Sequence, residues 1–446
     1  MTRPRLKHVV RDLGPTEVAN GVVGAIFAMT GPVAVILTAA ASAGLGPDLV
    51  SSWIFGVFVL NGVLTVVASW AHQQPLAFFW TIPGTALVGQ AAAHLPWSDV
   101  LGAYLLTAVL LVVLGLVGRV DRLMAALPTP VVMAMVAGVF LGFGTGLVSA
   151  VGTTAGVAAP MVAAFAVVAL LPRVRAVLPP VVAAVLAGVV AVLVTRTVEP
   201  VAWPGSVLAV PVLQVPTFSW AAAAELVLPL AVTVVFVQNA QGMAVLAAAG
   251  HRAPMRFVTI ACGLVSLPSA AVGAISSCLT GPTNALLTAS GRRERQYAAG
   301  IVCGVVAICF GMLAPLAVAL LGAAPPAFVA ALAGLALLRA LQGAFASAFA
   351  GPDVTAPLLT FLVTASGVSF LSLGAPFWGL VTGVVATWLA ARPSAVRQPE
   401  PDRRDERRDQ QPRGEARAAV DLPGGDHGDR HEGTADDVQA DPGGAR

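Results

Sequence analysis

The sequence predicts an all-α polytopic membrane protein of about fourteen transmembrane segments, built as two inverted repeats of seven, with short extended stretches before half-helices in segments 3 and 10. Three observations carry that prediction. Apolar residues make up 57% of the 446 residues and charged residues 11%, with a mean hydropathy of +0.85, far from the soluble globular average. Of 22 acidic residues only 9 precede Arg392, so the chain up to that point is nearly free of carboxylates. Finally, one seven-residue motif occurs twice, 199 residues apart.

The spans follow from runs without charge, because a helix needs about 20 apolar residues to cross the hydrocarbon core. After a cytoplasmic N-terminus (residues 1–17), the first repeat occupies residues 18–195, with charge-free runs at 18–47, 102–118, 123–172 and 176–195. A Pro-rich extracytoplasmic connection, residues 196–221, joins it to the second repeat, residues 222–391. Runs at 226–250, 257–291, 296–338 and 354–391 measure the spans there. Residues 392–446, rich in Arg, Asp, Pro and Gly, read as a disordered cytoplasmic tail.

Basic residues test the count, since Lys and Arg stay on the cytoplasmic side of short loops. With the N-terminus inside, fourteen crossings place Arg3, Arg5, Lys7, Arg11, Arg119, Arg122, Arg173, Arg175, Arg252, Arg256, Arg292, Arg293, Arg295, Arg339 and the ten arginines from Arg392 onward on one face. That is 24 of 25, with only Arg196 outside. The first apolar run is too long, and starts too late, for a cleaved secretory signal.

The motif T-x-P-x-x-A-L appears at Thr81–Leu87 and Thr280–Leu286, and Pro130 with Ala137-Gly138 is echoed by Pro326 with Ala333-Gly334. Seven crossings per repeat invert the second copy, the geometry of alternating-access carriers. Proline lacks an N–H and restricts the residue before it, so each motif marks extended backbone giving way to a half-helix. In a membrane such backbone must line a cavity or be buried in protein. Half-helix N-termini favour an anion, and Thr81, Gly84, Thr85, Thr280, Gly281, Thr283 and Asn284 supply polar groups and close backbone approach without formal charge.

A further polar cluster, Gln238, Asn239 and Gln241, interrupts an apolar helix, and buried amides need partners. They either bond between helices or face the half-helices and grip a substrate. Thr30 and Phe27 on the first helix occupy the repeat-related position. His72, His94 and His251 read as solvated loop-end residues, and Glu225 as interfacial. Cys262, Cys278, Cys303 and Cys309 read as small membrane-buried side chains, without metal-ligand spacing. Gly138 with Gly142, and Gly379 with Gly383, read as helix-packing positions.

At these residues the chain resembles the benzoate/proton symporter (BenE-type) family over residues 10–389. The resemblance rests on Arg11-Asp12-Leu13, Gln238-Asn239 with Gly242 to Leu246, Leu332 to Leu337, Thr360 to Gly367 and Phe377 to Leu380. It implies a fold similar to that of uracil and xanthine permeases: a core bundle of segments 1–4 and 8–11, a gate bundle of segments 5–7 and 12–14, and paired short strands in segments 3 and 10. Nucleobase permeases of that fold use carboxylates on segments 8 and 10. This sequence has Gln238, Asn239 and Asn284 instead, which suits a substrate that brings its own negative charge.

The expected function is uptake of an aromatic carboxylate such as benzoate. Its ring would lie against walls such as Phe27, Phe78 or Phe236, with a proton as the co-transported partner implied by the resemblance. A carrier or channel for bicarbonate or sulfate, and a nucleobase permease, are the alternatives. No enzyme motif, cofactor site, metal site or nucleic-acid surface is read from the sequence. The lipid bilayer is the expected surrounding, a homodimer is compatible with the sequence, and the Ala, Val and Arg bias points to a bacterial inner membrane.

Overall fold

The computed structural model of the chain describes residues 6–118, 120, 128–175, 178–198, 200–201, 203–368, 370–371 and 373–390. Arg3, Arg5, Arg119, Arg122 and the tail expected from residue 392 lie outside the described residues. After a short N-terminal turn of helix come α1 (Pro15–Met29) and α2 (Gly31–Ser42), which break at Thr30 just ahead of Pro32. Then follow α3 (Pro47–His72), β1 (Phe78–Trp80), α4 (Ile82–Ala91), α5 (Trp97–Val117), α6 (Thr129–Thr153), α7 (Ala155–Leu170) and α8 (Pro180–Thr195). After the connection come α9 (Trp220–Ala248), α10 (Met255–Ala271), β2 (Ser277–Leu279), α11 (Gly281–Leu287), α12 (Gln296–Met312), α13 (Ala314–Gly322), α14 (Pro326–Ala348), α15 (Thr355–Ala365) and α16 (Ala375–Ala390).

Among the described residues, seven helical spans are long and apolar enough to cross a membrane, and five further apolar helices have 10–17 residues. Packing sorts them into two groups. α14 lies along α6, α7 along α8 and α15 along α16 and α6, while α10 lies along α5 and α12 against α1 and α3. α2 contacts both α4 and α14 at the seam. Side chains such as Val109, Val113 and Leu116 on α5 and Leu186, Val190 and Leu193 on α8 are exposed, an outward apolar surface that water would not support and lipid does.

Small residues set the tightest packing. A Cβ at Gly379 or Gly383 would collide with Thr364 or Thr360 on α15, and one at Gly138 would press on Thr364. Gly142, read as its packing partner, faces open space. Cys262, Cys278 and Cys303 are buried, whereas Cys309 is exposed, because its face of α12 points outward.

β1 and β2 pair antiparallel, Phe78 opposite Leu279, Phe79 opposite Cys278 and Trp80 opposite Ser277. Phe79 and Cys278 are 199 residues apart, the same offset as the two motif copies. Thr81 N–H to Ser276 O and Thr280 N–H to Ala77 O extend the ladder at both ends. The outer edges are closed by side chains. On β1, Thr65 bonds both the N–H and C=O of Phe78, and Ser69 bonds both groups of Leu76. On β2, Asn239 Oδ1 accepts from Leu279 N–H at 2.8 Å and Ser266 Oγ from Ser277 N–H at 2.9 Å.

The connection before α9 is extended chain strapped across helix ends. Ala209 N–H reaches Met312 O, Gln214 N–H reaches Ala271 O, Thr217 N–H reaches Ser98 O, and Ser52 Oγ bridges Val212 and Val272. A second set of contacts ties Asp12 to Arg295 and Tyr297, Gln74 to Arg252, and Arg256 to Leu116. These contacts engage Arg252, Arg256 and Arg295 at loops that the strap does not touch.

α9 contains two π-helical turns, Ala223–Val227 and Thr233–Asn239. His251 is buried and bonded to Gln296 at 2.8 Å. Its partner lies 45 residues away, which is why local sequence made it look solvated.

Removing a buried edge partner leaves strand groups with no water to replace it. Thr65→Val is expected to destabilise the protein by about 1–3 kcal/mol, read as a lowered unfolding midpoint in detergent. Thr38→Val, at a half-buried hydroxyl that only back-bonds its own helix at Ala34 O, is the control with little change.

Candidate functional site

α1–α2, the half-helices α4 and α11 and the middle of α9 face α6, α7, α8 and α14 across a cavity of about 700 Å³. Its walls are mostly apolar and aromatic, with Phe27, Phe140, Phe165 and Phe236 among them, and its polar residues are Gln238, Gln241 and Arg339. At its inner end a narrow recess of about 20 Å³ runs between Phe27, Phe79, Trp80, Gln238, Thr280 and Thr283. That recess holds roughly one water-sized group. Among the residues lining both spaces none is Asp or Glu.

The motif copies differ in what their threonines do. Thr81 Oγ1 accepts from Gly84 N–H at 3.1 Å, capping α4, and donates to Thr233 Oγ1 at 2.9 Å. Thr85 bonds Thr81 O. In the second copy Thr280 makes no side-chain cap, and its Oγ1 is buried without a partner. Trp80 Nε1, on another residue lining the recess, is likewise buried and unpartnered. Two orphaned donors at one small opening ask for an acceptor, since an unmade buried hydrogen bond costs about 1–3 kcal/mol.

Of the residues read from the sequence, the structure brings Phe27, Gln238 and Gln241 to the cavity and Thr280 and Thr283 to the recess. Thr30 sits at the α1–α2 break, bonded to Phe27 O. Gly84 packs on Leu230, and Gly281 packs so tightly on Gln241 that a Cβ would collide with it. Asn284 and Asn239 lie beside the cavity and hold backbone. Asn284 bonds both the N–H and C=O of Ala77 and also Thr280 O, while Asn239 clamps β2.

Phe78 does not line either space: it is fully buried among Leu76, Leu111, Val234 and Val258. Glu225 is 4% exposed and bonds His94 at 3.1 Å. Glu225 is thus buried and not an exposed interfacial group, whereas His94 keeps the exposed loop position that local sequence suggested. His72 stacks on Phe257 with ring centroids 4.3 Å apart.

Sequence reasoning missed Trp80 and Arg339. Trp80 directly precedes the first motif, within the stretch already read as extended. Arg339 had been placed at a helix end, yet it lies inside α14 as the cationic residue of the cavity, and the signal was a single charge within an apolar run.

A family model described as benzoate membrane transport protein matches residues 11–389. The chain belongs to this family. Within it, the benzoate membrane transport protein of Acinetobacter baylyi is 29% identical over 394 residues, covering 87% of this chain and 99% of that protein. Inner membrane protein YdcO of Escherichia coli is 28% identical over 381 residues, covering 84% and 95%.

Among solved structures, the transmembrane domain of a cyanobacterium bicarbonate transporter, BicA, matches with a TM-score of 0.54 at 14% identity, covering 83% of this chain and 96% of that one. SLC26A9 matches with a TM-score of 0.59 at 15% identity, covering 84% and 64%. The benzoate transport family member described here therefore has a transporter fold that it shares with distant anion-carrier structures, and it is a multi-pass membrane transporter.

The division between engaged and free polar groups is measurable. Asn284→Ala removes three buried bonds to backbone and is expected to lower the unfolding midpoint, by about 2 kcal/mol or more of stability. Thr280→Val, which removes an unpartnered hydroxyl at constant shape, should leave the midpoint unchanged or raise it.

Proposed function

We propose that the protein is a secondary transporter that imports an aromatic carboxylate, benzoate in the first instance, together with a proton. The observation that carries this reading is the pairing of an aromatic-walled cavity with a recess holding two unpartnered buried donors, Trp80 Nε1 and Thr280 Oγ1. A carboxylate oxygen fits the recess and accepts from both donors, with Gln238 and Thr283 beside it. The ring stays in the wider cavity against Phe27 and Phe236, where burying apolar surface contributes about 25 cal/mol per Å². Arg339, exposed on the cavity wall, draws the anion in by long-range attraction. The absence of an acid among the lining residues removes a charge that would repel it.

The family membership and the names of the two relatives support benzoate as the first substrate to try. An inorganic anion such as bicarbonate would use the same donors but offers nothing for four phenylalanines to cover. We extend the reading to topology. The seven-plus-seven arrangement counts the shorter helices and both strand–half-helix elements as crossings, with the termini and the arginine-rich end in the cytoplasm of a bacterial cell, in its inner membrane. The cavity then opens inward, since Arg339 belongs to that end.

The test is uptake of labelled benzoate into proteoliposomes under an imposed pH gradient, beside protein-free liposomes, because neutral benzoic acid crosses bilayers unaided. Saturable uptake above the control, driven by outside acid and competed by aromatic acids but not by bicarbonate or uracil, is the expected outcome. No uptake above the control from monodisperse protein would overturn the reading. Trp80→Phe and Thr280→Val each remove one donor to a charged acceptor and should raise KM about 10-fold with little change in stability. Arg339→Gln should lower uptake more at low ionic strength than at high.

A further inference from the structure

Far from the cavity, the first turns of α9 hold a carboxylate that the substrate reading does not use. Glu225 lies thirteen residues before Gln238, roughly 20 Å along the helix, and is 4% exposed. Its Oε2 is 3.1 Å from Nε2 of His94, on the loop between α4 and α5, whose side chain is 35% exposed. The Gly374 backbone, just ahead of α16, lies against the same carboxylate. A Cβ at Gly374 would collide with Oε1.

The contact therefore joins the two packing groups, α4, α5 and α9 on one side and α16 on the other. α4, α5 and α16 pack on this part of α9. α4 and α16 carry no titratable side chain, and α5 brings Asp99, which takes a hydrogen bond from Thr217, and buried Tyr104. Among the described residues no Lys or Arg pairs with Glu225.

We propose that Glu225 and His94 form a proton-binding site that latches α16 closed at the end of the molecule opposite Arg339. The proposal rests on the inward-open transport reading above. In the latched state His94 is neutral with its proton on Nε2, and the carboxylate is ionised, holding the imidazole N–H and the backbone at Gly374. A buried carboxylate without a cation needs every donor it has. A proton from the outer solution adds at Nδ1 through the exposed part of the ring as the Nε2 proton passes to Oε2. The pair goes from a charge of −1 to 0, and no other group changes. The neutral carboxyl holds the Gly374 backbone more weakly, so α16 separates from α9 and the outer side opens. Acid outside thus favours the outward-open state, whichever way net benzoate moves.

Two measurements on the full-length protein test this. In benzoate self-exchange with equal pH on both sides, wild type should speed up about 10-fold between pH 7.5 and 5.5, Glu225→Gln should change less than about 2-fold, and Glu225→Asp should keep the slope. By hydrogen exchange at pH 7.5, the amides of Gly374, Ala375, Phe377 and Trp378 should open about 10-fold faster in Glu225→Gln than in wild type, with α6 unchanged. Unchanged exchange at these amides overturns the proposal whatever the transport assay gives, as does a wild-type slope in Glu225→Gln. If that variant is not monodisperse, His94→Gln carries both readings. If wild type exchanges no benzoate, the substrate reading falls, and amide exchange alone decides the latch.

Discussion

Extended backbone inside an apolar protein has to find a partner for every N–H and C=O, because the hydrocarbon around it offers none. Two strands of three residues pair with each other, which satisfies only their inner edges. Their outer edges face helices, whose own backbone groups are already engaged. The remedy is side chains: Thr65 and Ser69 from α3, Asn239 from α9, Ser266 from α10, and Asn284 on the Ala77 end of the ladder. Five polar residues on four helices therefore converge on one small ladder. The cavity lies beyond the half-helices that start there.

The two copies of the motif share backbone but divide the work. In the first, Thr81 is locked between the Gly84 N–H and Thr233, and that copy is a fixed wall. In the second, the equivalent hydroxyl on Thr280 is free and sits at the recess with Trp80 from the opposite strand. Polar groups that hold the fold and polar groups left without a partner thus stand within a few residues of each other, and only their partners tell them apart.

That distinction explains what was legible in the sequence. Apolar runs, the charge asymmetry and the repeated motif revealed the helical membrane fold and the place of the extended stretches, because these depend on local composition and on proline. They also brought Phe27, Gln238, Gln241, Thr280 and Thr283 to notice. Whether Asn239 and Asn284 grip a substrate or a strand is decided by residues 40 and 207 positions away, which local sequence cannot show. The same is true of Glu225, whose partner His94 is 131 positions away. Thr65 and Ser69, four residues apart on an apolar helix, left a periodic trace that a search confined to amides and prolines passes over. The tight seat of Gly383 on Thr360 is read from a glycine spacing, while the open one at Gly142 shows that spacing alone does not specify contact.

The π-helical turns of α9 bear on how this protein can change over generations. Such a turn carries one residue more than an α-helical turn, and two of them lie between Ala223 and Asn239. Losing one residue there would restore regular helix but rotate everything beyond it by roughly 100°. Gln238 would leave the cavity and Asn239 would leave β2. An exposed side chain on α9 such as Leu228 can be exchanged without touching these contacts, whereas a single-codon deletion in this stretch would undo the strand clamp and the cavity wall in one step.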